Sequence, residues 1–139
     1  MVQAVRDEDV DWLGVSVAKP LRVLIIENEG PRAPFRRKLK RKLDAWGGSP
    51  LKGRVSVLED PWADFSFGDK IWRERLAAYV REQEIDVVVC GPLASSGMEG
   101  AGTLQDVHAF LSLTADVRSR SGRDLLVLLV HHENKGGKV

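Results

Sequence analysis

Six consecutive apolar residues, Leu125 to Val130, run directly into His131, His132, Glu133, Asn134 and Lys135. A short apolar run bounded by polar residues is the pattern of a strand buried on both faces, as in a parallel sheet. The carboxyl end of such a strand is where open α/β sheets place their ligand crevice. Shorter runs of the same kind precede it: Leu21–Ile26, Arg54–Leu58, which alternates as a half-buried strand does, and Ile85–Cys90. Each is followed by a polar or Gly/Pro break.

Helical periodicity fills the gaps. Phe35, Leu39, Leu43 and Trp46 make one face of a helix over about 34–46, stopped by Gly47-Gly48. After a Pro- and aromatic-rich connection, Trp72, Leu76 and Tyr79-Val80 make the inner stripe of a second, over about 69–84, with Asp69 as its N-cap. The third starts at Thr103, with Asp106 completing a capping-box pattern, and turns Leu104, Val107, Phe110-Leu111, Thr114 and Val117 inward. Strands alternating with helices predict an α/β fold, a parallel sheet of about four strands with three right-handed crossover helices. Residues 1–20 read as a tail or connection, 21–135 as the domain and 136–139 as a frayed tail.

With 139 residues the chain is long enough for one domain with a real core and too short for two of ordinary size. A net charge of +1 makes neither a polyanion nor a polycation of it. The single cysteine, Cys90, excludes an internal disulfide and a multi-cysteine zinc site, and it reads as an inert core thiol. No apolar run approaches a membrane span and the start carries no signal-peptide core, so the expected location is the cytoplasm, with no membrane partner.

In a parallel sheet, Glu27-Asn28-Glu29, Gly91-Pro92-Leu93 and His131 to Lys135 all fall along one edge. Carboxylates and imidazoles gathered there can polarise a water or hold a metal-bound phosphate; equally, they can be plain polar loops capping buried strands. His131-His132-Glu133 lacks the HExxH spacing, and a three-histidine site would have to recruit His108 from mid-helix, so no metal site of protein ligands alone is expected. Arg32 to Lys42 holds seven basic residues in eleven. That is either a solvated face or, through Arg36, Arg37, Lys40 and Arg41, a contact for nucleic-acid or nucleotide phosphates. Ala94–Gly102 matches neither GxxxxGK[ST] nor GxGxxG and reads as a mobile loop. Ser95 and Ser96 stand in no GxSxG elbow, which counts against an unrelated α/β hydrolase using a histidine and Glu29.

The phrases DWLG, RVLIIENEGPR followed by FRRKL, GPL followed by GMEGAGT, and VHHENK occur in this order from about Asp11 to Lys135. In that order and spacing the chain resembles the RecA-like ATPases of the AAA family, the RepA-like group of hexameric helicases. The resemblance implies ATP and Mg2+ as ligands, ring neighbours or self-association, and work on DNA. It implies Glu29, with Glu27 second, as the catalytic glutamate that activates water. It implies nucleotide sensing by His131 and His132 next to Val130, and by Lys135. Gly91 stands where the family carries its Walker B aspartate, and no GxxxxGK[ST] loop occurs anywhere. The resemblance therefore implies a middle slice of a RecA-like domain, poor at binding ATP alone and self-associating through an uncovered edge such as Leu125–Val130. The rival reading is a non-catalytic module of the same fold that binds DNA or a partner.

Overall fold

The computed structural model describes residues 10–12, 15–17, 20–28, 30–45, 53–59, 64–100 and 102–131. Within the stretch read as a tail or connection, β1 (Val10–Trp12) and β2 (Val15–Val17) pair antiparallel, with Val10 opposite Val17 and Trp12 opposite Val15. Strands of three residues are too short to show a period, so the pattern could not announce them.

The apolar runs form β3 (Val23–Glu27), β4 (Val55–Leu58), β5 (Val87–Gly91) and β6 (Leu126–Leu129), one parallel sheet in the order β4-β3-β5-β6. Val23 sits opposite both Val55 and Val87, and Val87 opposite Leu126. The connections are α1 (Arg32–Asp44), α2 (Lys70–Glu82) and α3 (Leu104–Ser121). The order steps one way from β3 to β4 and the other way from β4 through β5 to β6. Right-handed crossovers then carry α1 over one face, and α2 and α3 over the other.

The two faces differ in how well they are covered. On one, Leu24, Ile26, Val88 and Cys90 of the strands pack with Leu76 and Val80 of α2 and Phe110 and Val117 of α3. Phe65 and Phe67, from the connection before α2, are buried in the same core, edge-on to each other at 4.9 Å and to Trp72 and Phe110 at 5.8 and 5.4 Å. On the other face Val23 and Val87 are buried, but Leu126 and Val130 are 49% and 46% exposed. Helix α1 has no buried residue; Phe35, Leu39 and Leu43 are half-buried.

Two expected caps are present. Asp69 accepts from the Ile71 N–H at 2.7 Å, and Thr103 with Asp106 completes a capping box. The inner stripe of α3 is narrower than expected: Phe110, Thr114, Val117 and Ser121 are buried, while Leu104 and Leu111 are 75% and 48% exposed. At about 100° per residue these two leucines lie roughly 100–120° away from Phe110 around the helix, off the buried line. Likewise Tyr79, expected on the inner stripe of α2, is exposed, while Ala77 is buried.

Candidate functional site

The carboxyl ends of the strands meet in a row fixed by register. Glu27 lies opposite Gly91, and Cys90 opposite Leu129, which brings Val130 to the other side of Gly91. With strands about 4.8 Å apart, the Glu27 and Val130 backbones are about 10 Å apart along this edge. His131 follows one residue on and is exposed. The sheet therefore brings Glu27, Gly91 and His131 to one edge. Glu29, His132 and Lys135 lie outside the described residues.

Asn28 holds the row together. Its side chain, 7% exposed, donates to the Phe65 carbonyl at 2.7 Å and to the Ser95 carbonyl at 3.0 Å, and its own N–H donates to the Gly91 carbonyl at 3.2 Å. One amide thus ties the exit of β3 to the connection before α2 and to the turn after β5. Buried, it must satisfy its donors, so those partners also fix where Glu27 sits. Asn28 was visible only as one letter between two acids; a polar residue directly after a buried strand was the signal.

Gly91 is there for space. A Cβ at this position would stand 2.5 Å from the Val130 Cβ and 3.1 Å from the Val130 carbonyl oxygen. The site residue expected to replace an aspartate therefore offers the edge its backbone alone, and a side chain there would need β5 and β6 to move apart. The Gly91-Pro92 peptide is cis. Beyond it, Leu93 donates its N–H to the Val130 carbonyl at 3.1 Å, fastening β5's exit to β6's.

The stretch read as a mobile glycine-rich loop is exposed at Ala94, Ser95, Glu99 and Gly100 but anchored at Ser96. A 3-10 turn over Ala94–Ser96 buries Ser96, whose hydroxyl donates to the Pro92 carbonyl at 2.8 Å and lies 3.1 Å from the Cys90 Sγ. Gly97, at φ +95, approaches so closely that a Cβ would collide with the Ser66 Oγ. Burial pushes the Cys90 thiol up to about 11, and Ser96 only partly offsets this. A thiol so protonated is no nucleophile.

A cavity of about 120 Å³ opens on this edge, lined by Glu27, Gly91, Pro92 and Val130 above Ile25 and Val89. Enclosed small-molecule pockets span about 300–1,000 Å³, so the described residues offer room for one end of a nucleotide and no enclosure for the whole. A larger space of about 510 Å³ lies between Gly97–Gly100 and the start of α3, with Glu99 and Asp106 on its wall. Two acids there do not suit a phosphate. Among the described residues no group of three His, Cys, Asp or Glu side chains is placed to hold a metal, and His108 is exposed on α3.

The basic helix divides in two. Arg36 donates Nε to Glu59 at 2.8 Å and pairs with it a second time through Nη2, and Arg32 reaches the same carboxylate at 3.1 Å. These bonds, Arg36's first, hold Glu59 down at about 2. Lys40 pairs with Asp44 at 2.7 Å. Arg37 and Arg41 are exposed and make no ion pair among the described residues.

Four parallel strands with three crossover helices and a polar carboxyl edge define an α/β domain consistent with a RecA-like core. The family model described as AAA domain matches residues 2–138, so the chain belongs to the AAA domain family, whose members are ATPase-like and nucleotide-binding in general. No curated protein and no solved structure matches it. No described helix is long and apolar enough to cross a membrane.

Proposed function

We propose that this chain is the nucleotide-facing core of a RecA-like AAA ATPase of the RepA-like group, put to work on DNA, and that its carboxyl edge faces the phosphates of Mg2+-bound ATP. In this reading Glu29, with Glu27 behind it, activates the attacking water, and His131, His132 and Lys135 read the phosphate end. The observation that carries it is the row Glu27–Gly91–Val130 leading into His131, at the edge where parallel sheets bind ligands, in a chain of the AAA family. When bound, Mg2+ would supply charge neutralisation for the phosphates. The donors that would meet it among the described residues reduce to Glu27, since Gly91 brings no side chain.

Alone, the 139-residue chain binds ATP weakly and does not turn it over, because its sequence has no GxxxxGK[ST] loop to wrap the phosphates. Titration with Mg2+-ATP followed by NMR tests both halves. Millimolar affinity, about −4 kcal/mol, is expected, with shifts confined to Glu27, Asn28, Gly91 and His131. Shifts centred on the opposite edge of the sheet, or none at all, sink the site; micromolar Mg2+-dependent binding by a monomer sinks the claim of weakness.

The closed space at Gly91 favours a second reading, a non-catalytic module on the same fold that binds DNA or a partner. Glu27→Gln separates the two: it lowers the nucleotide response in the first and changes nothing in the second.

A further inference from the structure

Helix α1 spans 13 residues, about 20 Å of helix. Its cations do not act as one run. Arg32 and Arg36 are committed to Glu59, and Lys40 to Asp44. That leaves Arg37, Lys38, Arg41 and Lys42, all exposed and without an ion pair among the described residues. At about 100° per residue these four fall within roughly 140° of the helix circumference. They stand as two i, i+4 pairs, where like charges repel each other mildly. Phe35, Leu39 and Leu43 occupy the other side and are half-buried. A net charge of +1 for the whole chain makes four adjacent cations, unpaired among the described residues, a local excess and not a general property of its surface.

We propose that this face of α1, Arg37, Lys38, Arg41 and Lys42, binds the phosphate backbone of double-stranded nucleic acid without reading its sequence. The partner is chosen by what the face contains and lacks. Four cations on a rigid helix match a dense row of phosphates. No aromatic residue stands among them, so there is nothing for unstacked bases to stack upon and a single strand is not favoured. A membrane surface would need the apolar residues of the helix free to insert, and here they are turned inward and half-buried. The contact set thus shifts from Arg36 and Lys40, which Glu59 and Asp44 hold, to Lys38 and Lys42. The inference rests on the part of the proposed function that places the domain on DNA, and its assay contains no nucleotide. Its failure leaves the nucleotide edge standing, and failure of the ATP titration leaves this face standing.

The test is fluorescence anisotropy of the full chain with a labelled 20-base-pair duplex across a salt series. Four phosphate contacts give a log–log slope near −3.6, about 150-fold weaker binding at 200 mM salt than at 50 mM. Arg37→Gln with Arg41→Gln, and separately Lys38→Gln with Lys42→Gln, should each cut the slope to about −1.8, so that the same salt change costs only about 12-fold. Lys70→Gln with Arg118→Gln removes the same charge from α2 and α3 and should leave the slope unchanged. No binding at 50 mM salt overturns the proposal, as does a slope that neither α1 pair alters. So does displacement of the duplex by anionic phospholipid vesicles or polyglutamate at equal charge, which would point to a membrane or an acidic protein instead.

Discussion

A methyl group added at Gly91 tests the close seam between β5 and β6. In Gly91→Ala the new Cβ would lie 2.5 Å from the Val130 Cβ, 3.1 Å from its carbonyl oxygen and 3.2 Å from its Cα. All three are backbone atoms or fixed directly to the backbone, so no change of side-chain rotamer relieves the contact. Ordinary carbon–carbon contact needs about 3.5 Å or more, and β6 must therefore move outward by roughly 1 Å. That movement strains the bonds flanking the seam, Val130 N–H to the Cys90 carbonyl at 2.8 Å and Leu93 N–H to the Val130 carbonyl at 3.1 Å. Overpacking of this kind costs about 1–3 kcal/mol, a fall in Tm of roughly 3–9 °C for a chain of this size. Urea denaturation with m held constant is the assay. Val130→Ala should not rescue Gly91→Ala, because the clashing Cβ stays; Val130→Gly removes the closest of the three contacts and should rescue it in part, and a double-mutant cycle should show favourable coupling of about 1 kcal/mol. Gly91→Asp carries the same Cβ and should gain no Mg2+-dependent nucleotide affinity. A Gly91→Ala variant within about 0.5 kcal/mol of the parent, the ordinary scatter of surface changes, would refute the reasoning.

Three further outcomes can be checked. Cys90, buried and raised to about 11, should resist a thiol reagent at pH 8 in the native chain and react at once in urea; rapid native labelling would contradict the buried Cys90–Ser96 contact. Glu59 is depressed from 4.5 to about 2, so its contribution is in place above pH 4.5 and is lost as the pH falls towards 2. With Glu59 31% exposed, water screens the pairs and the loss is small, but Glu59→Gln should abolish it, as read from α1 amide exchange between pH 5 and 2. Among the described strands β6 is an outer one, with Leu126 49% exposed, so the chain should self-associate in sedimentation, and Leu126→Lys should reduce this; a monomeric parent at high concentration would show the edge to be covered.

The sheet strands were legible as short apolar runs between polar or Gly/Pro breaks, although β6, expected to be buried on both faces, leaves Leu126 and Val130 half exposed because it is an outer described strand. Leu125–Val130 gave β6 and Ile85–Cys90 gave β5, each within a residue or two, and Asp69 and Thr103 marked their helices because the cap chemistry is local. What was not legible depends on contacts between distant segments. Phe65 and Phe67 sit in a connection with no period, yet fill the core between α2 and α3. The division of the basic helix required Glu59 to be placed beside Arg32 and Arg36, 27 and 23 residues away. At the site, three strand ends on one edge followed from parallel order, which the sequence pattern implied. The tie through Asn28 and the closed space at Gly91 did not follow, since each depends on how far one backbone stands from another.

The strand order β4-β3-β5-β6 also sets a schedule for a chain made from its amino terminus. Of these four strands Val23–Glu27 emerges first and becomes an inner one; β4 then joins one flank, β5 the other, and β6 the outside of β5. None of these four has to wedge between two that are already paired. The wait is long, however: the Arg22 N–H bonds the Asp86 carboxylate across 64 residues, which at about 5–20 residues per second takes roughly 3–13 s to synthesise. For those seconds β3 has a vacant flank, and its apolar residues are the stretch of the nascent chain that a ribosome-associated chaperone has most reason to hold.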